Sequence, residues 1–338
     1  MNAPAIGVMF QRDVAPEALS ARASLIESLG FDDMWVVEDL FFSGGIAQAG
    51  AALAATGTLK IGIGILPAMA RNPVYAAMEL ATLARLHPDR VLAGIGHGMQ
   101  DWMASVGALP RSPLKALEET MLVIGRLLDG EAVTLDGDYV TVSGARLEHP
   151  PEIAPPLLAG VRGPNSLRLA GRVADGAVLA EPTSVAYSIW ARERLGSGAA
   201  AGGKPRPTLV SYTWLSVDQD SEVAIDRVRP MLASIPGGLA EPSVHSQLLP
   251  LSFSSELIGI LDDAEDQEAL ARQLKREWIT ELAIVGTPED CANEVRRRGE
   301  AGVDRIVLVP LPDRIEEQVR MFGQEVLPLL PSVSRPAT

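Results

Sequence analysis

Lys60-Ile61-Gly62-Ile63-Gly64-Ile65-Leu66, closed by Pro67, is followed by a strong helical stretch over residues 72–86. The run is apolar on both faces. That texture belongs to a strand covered on both sides, as in a parallel sheet flanked by helices. Runs of the same kind recur at 6–10, 34–37, 90–95, 156–159, 177–180, 208–217 and 305–309, with helical patterns between most of them. The helix over 15–29 stops at Gly30, and 114–128 is amphipathic. Eight strands alternating with helices predict an α/β chain, a closed (β/α)8 TIM barrel with its helices outside. An open doubly wound sheet competes with it, but no Gly-rich dinucleotide fingerprint follows the first run.

Other stretches break the alternation. Residues 131–147 read as a β-hairpin excursion, with Asp136-Gly137 as a tight turn. The Gly/Ala/Pro-rich stretch 196–207 reads as a flexible loop, and about 235–280 as an irregular, partly helical insertion overhanging the barrel mouth. Its Leu248-Leu249-Pro250-Leu251 reads equally as an apolar lid or an oligomer contact, and the charged helix at 294–298 as a solvated face. The whole chain, 1–338, is expected to form a single domain.

Composition narrows the partners. Hydrophobic residues make up 47% of the 338, enough for a large core, and the formal net charge of −14 argues against broad electrostatic binding to nucleic acid or anionic membrane. Cys291 has no partner for a disulfide, which fits a reducing compartment. No apolar run approaches the roughly 18 residues of a membrane span, and residues 1–10 read as a first strand rather than a signal peptide. The expectation is a cytoplasmic protein. His87, His97, His149 and His245 show no metal-binding spacing, so no metal is expected.

In such a barrel, chemistry collects at the C-terminal ends of the strands. That rule selects Glu38-Asp39, Gly64 to Pro67, Gly94-Ile95-Gly96-His97-Gly98, Gly160-Val161-Arg162-Gly163-Pro164 and Glu181-Pro182-Thr183. The Gly160 segment feeds a helix N-terminus, whose amides and dipole favour an anion, with Arg162 adding charge; it reads equally as an ordinary turn. His97, among glycines that clear room for a ring, reads as a hydrogen-bonding or proton-donating group or as a plain loop residue. Glu38 and Asp39, adjacent on an extended segment, point opposite ways, so one of them faces the pocket.

Trp35-Val36-Val37-Glu38-Asp39, KIGIGILPAMARNP (60–73), GIGHG (94–98), LLDGEAV (127–133), PPLLAGVRGPNSLRLAG (155–171) and VADGAVLAEP (173–182) resemble, in order, the luciferase-like monooxygenase superfamily. The resemblance continues at 286–308 and is poor between about 235 and 280. AGVRGPNS with LLDGEAV and VADG is most similar to the methylenetetrahydromethanopterin reductase-like branch that uses coenzyme F420. This implies hydride transfer between the deazaflavin and a small organic substrate, an activated double bond or a modified peptide. An FMN-dependent monooxygenase of the same fold and a non-catalytic coenzyme-binding barrel remain alternatives, and a homodimer is implied.

The branch further implies a non-proline cis peptide at Gly64–Ile65. By resemblance Gly64, Ile65 and Leu66 back the ring, and Gln100 or His97 bonds its edge. Ala159, Gly160, Val161, Arg162, Gly163 and Pro164 hold the phosphate, with Glu181 as a further contact. Glu38 or Asp39 lies near the reacting carbon. The branch often carries Asp-His after the second strand, whereas Glu38-Asp39 stands here, which leaves His97 as the preferred proton donor.

Overall fold

A computed structural model describes residues 3–234, 239 and 244–331. The strands are β1 (Ala5–Phe10), β2 (Asp33–Val36), β3 (Lys60–Pro67), β4 (Val91–Gly96), β5 (Val133–Asp136), β6 (Thr141–Ala145), β7 (Leu157–Gly160), β8 (Gly176–Leu179), β9 (Thr208–Val217), β10 (Ala283–Gly286) and β11 (Arg305–Pro310). Parallel pairing runs β1-β2-β3-β4-β7-β8-β9-β11 and returns to β1, closing the barrel. Those strands coincide with the eight apolar runs, so the (β/α)8 barrel is the observed fold.

The sequence reading overlooked β10. It pairs with Trp214–Val217 of β9, beyond the Thr208–Ser211 segment that pairs with β8. One long strand thus serves two short neighbours on the same side. Ala283–Gly286 is only four residues long and follows helix Arg276–Leu282 without a turn signal, which hides it from periodicity.

Two apolar layers hold the barrel. The outer one lies between strands and surrounding helices and includes Ile61, Ile63, Leu66, Ile95, Ala159 and Val161. The inner one fills the barrel with Trp35, Leu92, Leu158, Val178, Val210, Tyr212 and Val307, and continues into helices of the 224–282 region through Leu248, Leu251, Leu257 and Trp278. Large side chains buried this way contribute roughly 1.5–3 kcal/mol each. Leu248 and Leu251 are therefore core residues, while Leu249 is exposed. Residues 235–238 and 240–243, which fall in the expected insertion, lie outside the described residues.

Three expectations are corrected. The stretch expected as a loop from Gly196 onward is helical to Gly202, as the end of helix Val185–Gly202. A Cβ on Gly198 would stand 2.0 Å from the Arg168 carbonyl oxygen, and one on Gly171 would stand 2.1 Å from that of Leu195. These glycines let the helix press against helix Pro164–Val173 backbone to backbone, which offsets their poor helix propensity. The helix around Glu294 and Arg298 is not a solvated face, because Arg298 is 0% exposed. Its guanidinium donates to Glu294 and to the Thr183 carbonyl at 3.0 and 2.9 Å. The hairpin turn is also wider than Asp136-Gly137, since Asp136 pairs with Thr141. The carboxylate of Glu119 accepts the amides of Asp138, Tyr139 and Val140 at 2.8–3.0 Å and shapes the turn around itself.

Candidate active site

The mouth of the barrel is built around an irregularity in β3. Its register against β4 runs Ile63↔Ala93 and then Leu66↔Ile95, so Gly64 and Ile65 stand out of the ladder. The peptide between them is cis, as the resemblance implied. Leu66 resumes the outward orientation at 1% exposure, so its side chain does not back a ring at the mouth.

The glycines at the ends of β4 and β7 serve a purpose other than the expected one. A Cβ on Gly94, Gly96 or Gly160 would stand 3.0, 2.9 and 2.7 Å from the side chain of Ile65. Their bareness houses Ile65 rather than a coenzyme directly. What the mouth presents is the outer edge of a half-buried isoleucine, an apolar pad seated in a glycine trough. On the other side of the bulge, a Cβ on Gly64 would stand 2.2 Å from the Tyr212 hydroxyl, with the Trp35 ring also close.

Polar groups ring this pad, and several lack partners. His97 Nε2 lies 3.2 Å from Ser166 Oγ, while its Nδ1 is buried without a hydrogen bond. Burial outweighs a backbone interaction with Pro113 and pushes the His97 ring below the ordinary imidazole pKa, so it is neutral at pH 7. The Tyr212 hydroxyl and Trp214 Nε1 are buried and unpartnered too. Burial, with the charges of Glu181, Asp33 and Asp39, raises the Tyr212 phenol well above its usual range and keeps it protonated. Buried polar atoms are nearly always satisfied, so such a concentration marks a place where something else supplies partners.

Glu38 and Asp39 turn to different neighbours. Glu38 accepts the amide of Gly45 at 2.7 Å and is gripped by Arg71 Nη2 at 2.6 Å, while Arg71 Nη1 holds Glu79 at 2.7 Å. It ties the loops after β2 and β3 together. Asp39 accepts from Arg12 Nη1 at 3.0 Å, and Arg12 also lies 5.2 and 5.6 Å from the ring centroids of Phe42 and Trp102. Burial raises the Asp39 carboxyl despite this partner. Glu181, before a cis bond to Pro182, is likewise raised by burial and interacts electrostatically with Arg162, Asp39 and Arg12.

The turn after β7 presents an unfilled helix start. Gly163 is the N-cap of helix Pro164–Val173 with no side-chain cap, and a Cβ on it would meet nothing within 4 Å. Arg162 is half-buried beside it, with its carbonyl accepting from the Tyr187 hydroxyl at 2.8 Å. Ala159 and Val161 point into the outer core, so only their backbone faces the turn. Pro164 is exposed, as is Gln100 at the start of helix Gln100–Ser105.

Sequence reasoning missed Arg12, Tyr212, Trp214 and Gln247. Arg12 was within reach, standing two residues past the end of β1. The two aromatics sit mid-strand, where inward orientation is visible only once the barrel closes. Gln247, on helix His245–Leu248, donates to the carbonyls of Ala180 and Pro182 at 2.8 and 2.6 Å, tying that helix to the loop that carries Glu181. A cleft of about 250 Å³ lies beside the barrel, between the Ala68–Pro73 loop and the hairpin, and is distinct from this mouth.

A closed parallel barrel with an irregular third strand and an uncapped helix start after β7 sets the class of the protein as a (β/α)8 barrel with its candidate site at the strand ends. Residues 4–305 match the family model of the luciferase-like monooxygenases, and the chain belongs to that family. It is 26% identical over 330 residues to the 5,10-methylenetetrahydromethanopterin reductase of Archaeoglobus fulgidus, covering 96% of this chain and 99% of that one. It is 30% identical over 332 residues to the F420-dependent glucose-6-phosphate dehydrogenase of Beutenbergia cavernae, covering 94% of each. The solved coenzyme F420-dependent tetrahydromethanopterin reductase of Methanopyrus kandleri superposes with a TM-score of 0.81 at 22% identity, over 98% of this chain and all of that one. Among the described residues no helix is long and apolar enough to cross a membrane, and no His/Cys/Asp/Glu group is arranged for a metal.

Proposed function

We propose that this chain is an F420-dependent oxidoreductase that transfers a hydride between the deazaflavin and a small organic molecule. The observation that carries the reading is the pad at Ile65, flanked by unpartnered polar atoms of His97 and Tyr212 and by the uncapped helix start at Gly163. An apolar surface beside polar edge groups and an anion site suits a flat, phosphate-bearing ring system. The F420-dependent relatives support this choice of coenzyme.

The residues divide the work by their environments. Ile65 and Gly64 support one face of the ring, and the amides from Gly163 onward, with Arg162, hold the phosphate. Bound F420 supplies the hydride acceptor or donor, and the protein need only position the two reactants. His97, neutral and oriented by Ser166 through Nε2, accepts or returns the substrate proton. Asp39 stands at the same mouth as a second proton carrier, oriented by Arg12. Glu38 is committed to Arg71 and positions its loop instead.

Titration with F420 and then FMN, followed by fluorescence and absorbance, tests the reading. Saturable F420 binding in the micromolar range or tighter, weakened at least tenfold in Arg162→Ala, is expected. Retention of FMN alone, with oxygen uptake, would replace the reading with a monooxygenase.

A further inference from the structure

Two carboxylates follow strands on opposite sides of the barrel, at the end that carries the pad. Asp39 follows β2 and Glu181 follows β8, and they interact electrostatically with each other. The Tyr212 hydroxyl lies beside Gly64, where a Cβ would stand 2.2 Å from it; it senses both carboxyls, belongs to a residue only 3% exposed and has no hydrogen-bond partner. The site thus offers two acceptors and one phenol at the place where a substrate meets the ring.

Three arginines around the mouth are already engaged with acids. Arg12 is bonded to Asp39 and flanked by Phe42 and Trp102, and Arg71 is held between Glu38 and Glu79. Arg162 acts on Glu181. The lysines, Lys60, Lys115, Lys204 and Lys275, each pair with an acid: Asp89, Glu119, Asp175 and Glu256. A dianionic group entering beside Asp39 and Glu181 would have to displace these carboxyls from Arg12 and Arg162, with no lysine to receive it.

We propose that the substrate is uncharged or cationic where it meets Asp39, Glu181 and Tyr212, carrying hydroxyl or amine donors, and that phosphate esters are rejected. The inference rests on the mouth being the F420 site, and it separates this chain from its relatives named as glucose-6-phosphate dehydrogenases. Glu181 and Asp39 accept from the substrate's donors, and Gln247, latched across the Glu181–Pro182 bond, keeps Glu181 in place.

The test uses small probes that differ only in charge: 2-aminopropane, 2-propanol and isopropyl phosphate, titrated at constant ionic strength into the F420-loaded protein and read by fluorescence of the bound coenzyme. The amine should bind at least tenfold more tightly than the phosphate ester, and Glu181→Gln and Asp39→Asn should each reduce that ratio several-fold. Glucose 6-phosphate should be neither bound nor oxidised. Equal or tighter binding of either phosphate ester, absence of amine binding, or a ratio unmoved by both variants overturns the proposal. If F420 itself does not bind, the coenzyme assignment fails instead. The same titration on the free protein, followed by tryptophan fluorescence, then still reads the charge preference against the same criteria.

Discussion

The two ends of the barrel treat buried polar groups in opposite ways. At the N-terminal end, Asp33 is 0% exposed and carries an ion pair to Arg305 and a 2.6 Å hydrogen bond from Trp35 Nε1. Asp32 accepts the amide of Ile6 at 2.8 Å, and Glu27 accepts those of Gly57, Thr58 and Leu59 on the turn into β3. At the C-terminal end, His97 Nδ1, the Tyr212 hydroxyl and Trp214 Nε1 are buried with no partner. An unsatisfied buried polar group costs about 1–3 kcal/mol, a cost tolerated where a ligand restores the missing bonds. One end closes the fold and the other keeps polar atoms in reserve.

Substitutions at the two ends should therefore separate stability from chemistry. The largest effect is expected at the floor: Asp33→Ala leaves Arg305 without its buried partner and should cost about 3–5 kcal/mol in chemical denaturation. F420 affinity of the folded fraction should be retained, and a variant as stable as the parent would break the contrast. At the mouth, His97→Ala should lower kcat on the order of 10²-fold, with stability changed by less than about 1 kcal/mol. Because burial holds the ring below the ordinary imidazole value, substrate oxidation should be level from pH 7 to 8 and fall only on acidification. His97→Ala should lack that acid limb.

Glu27 sharpens the floor side. Partial burial raises its pKa, but the amides of Thr58, Leu59 and Gly57 outweigh it and pull the carboxyl down to about 2. A depressed carboxylate contributes stability above its unfolded value that disappears as pH falls through the folded one. Glu27→Gln should cost roughly 1.5 kcal/mol at neutral pH. Its denaturation midpoint should converge with that of the parent as pH approaches 2, and a constant offset would show that the charge is not responsible. The smallest effect is expected for Ile65→Ala, which trims the pad: F420 affinity should fall about tenfold, or roughly 1.4 kcal/mol.

Much of the fold was legible because strands buried on both faces leave runs such as KIGIGIL that admit few other readings. Positions of the candidate site were legible by place, at strand ends, and less so by role. Glycine spacing identified Gly94, Gly96 and Gly160 but not their occupant, since Ile65 reaches them only through the fold of β3. Arg298 resembled a surface charge because a helix pattern does not reveal a Thr183 carbonyl arriving from another loop.

Local pattern, then, settled the order of strands and helices and the ends where chemistry belongs, because burial on both faces and chain direction are written residue by residue. Closure of the barrel alone decided which polar groups would be paired. Asp33 meets Arg305 across 272 positions of chain, whereas Tyr212 is turned to the mouth with its hydroxyl unmatched. Such pairings depend on distances between segments remote in sequence, and no periodicity encodes them.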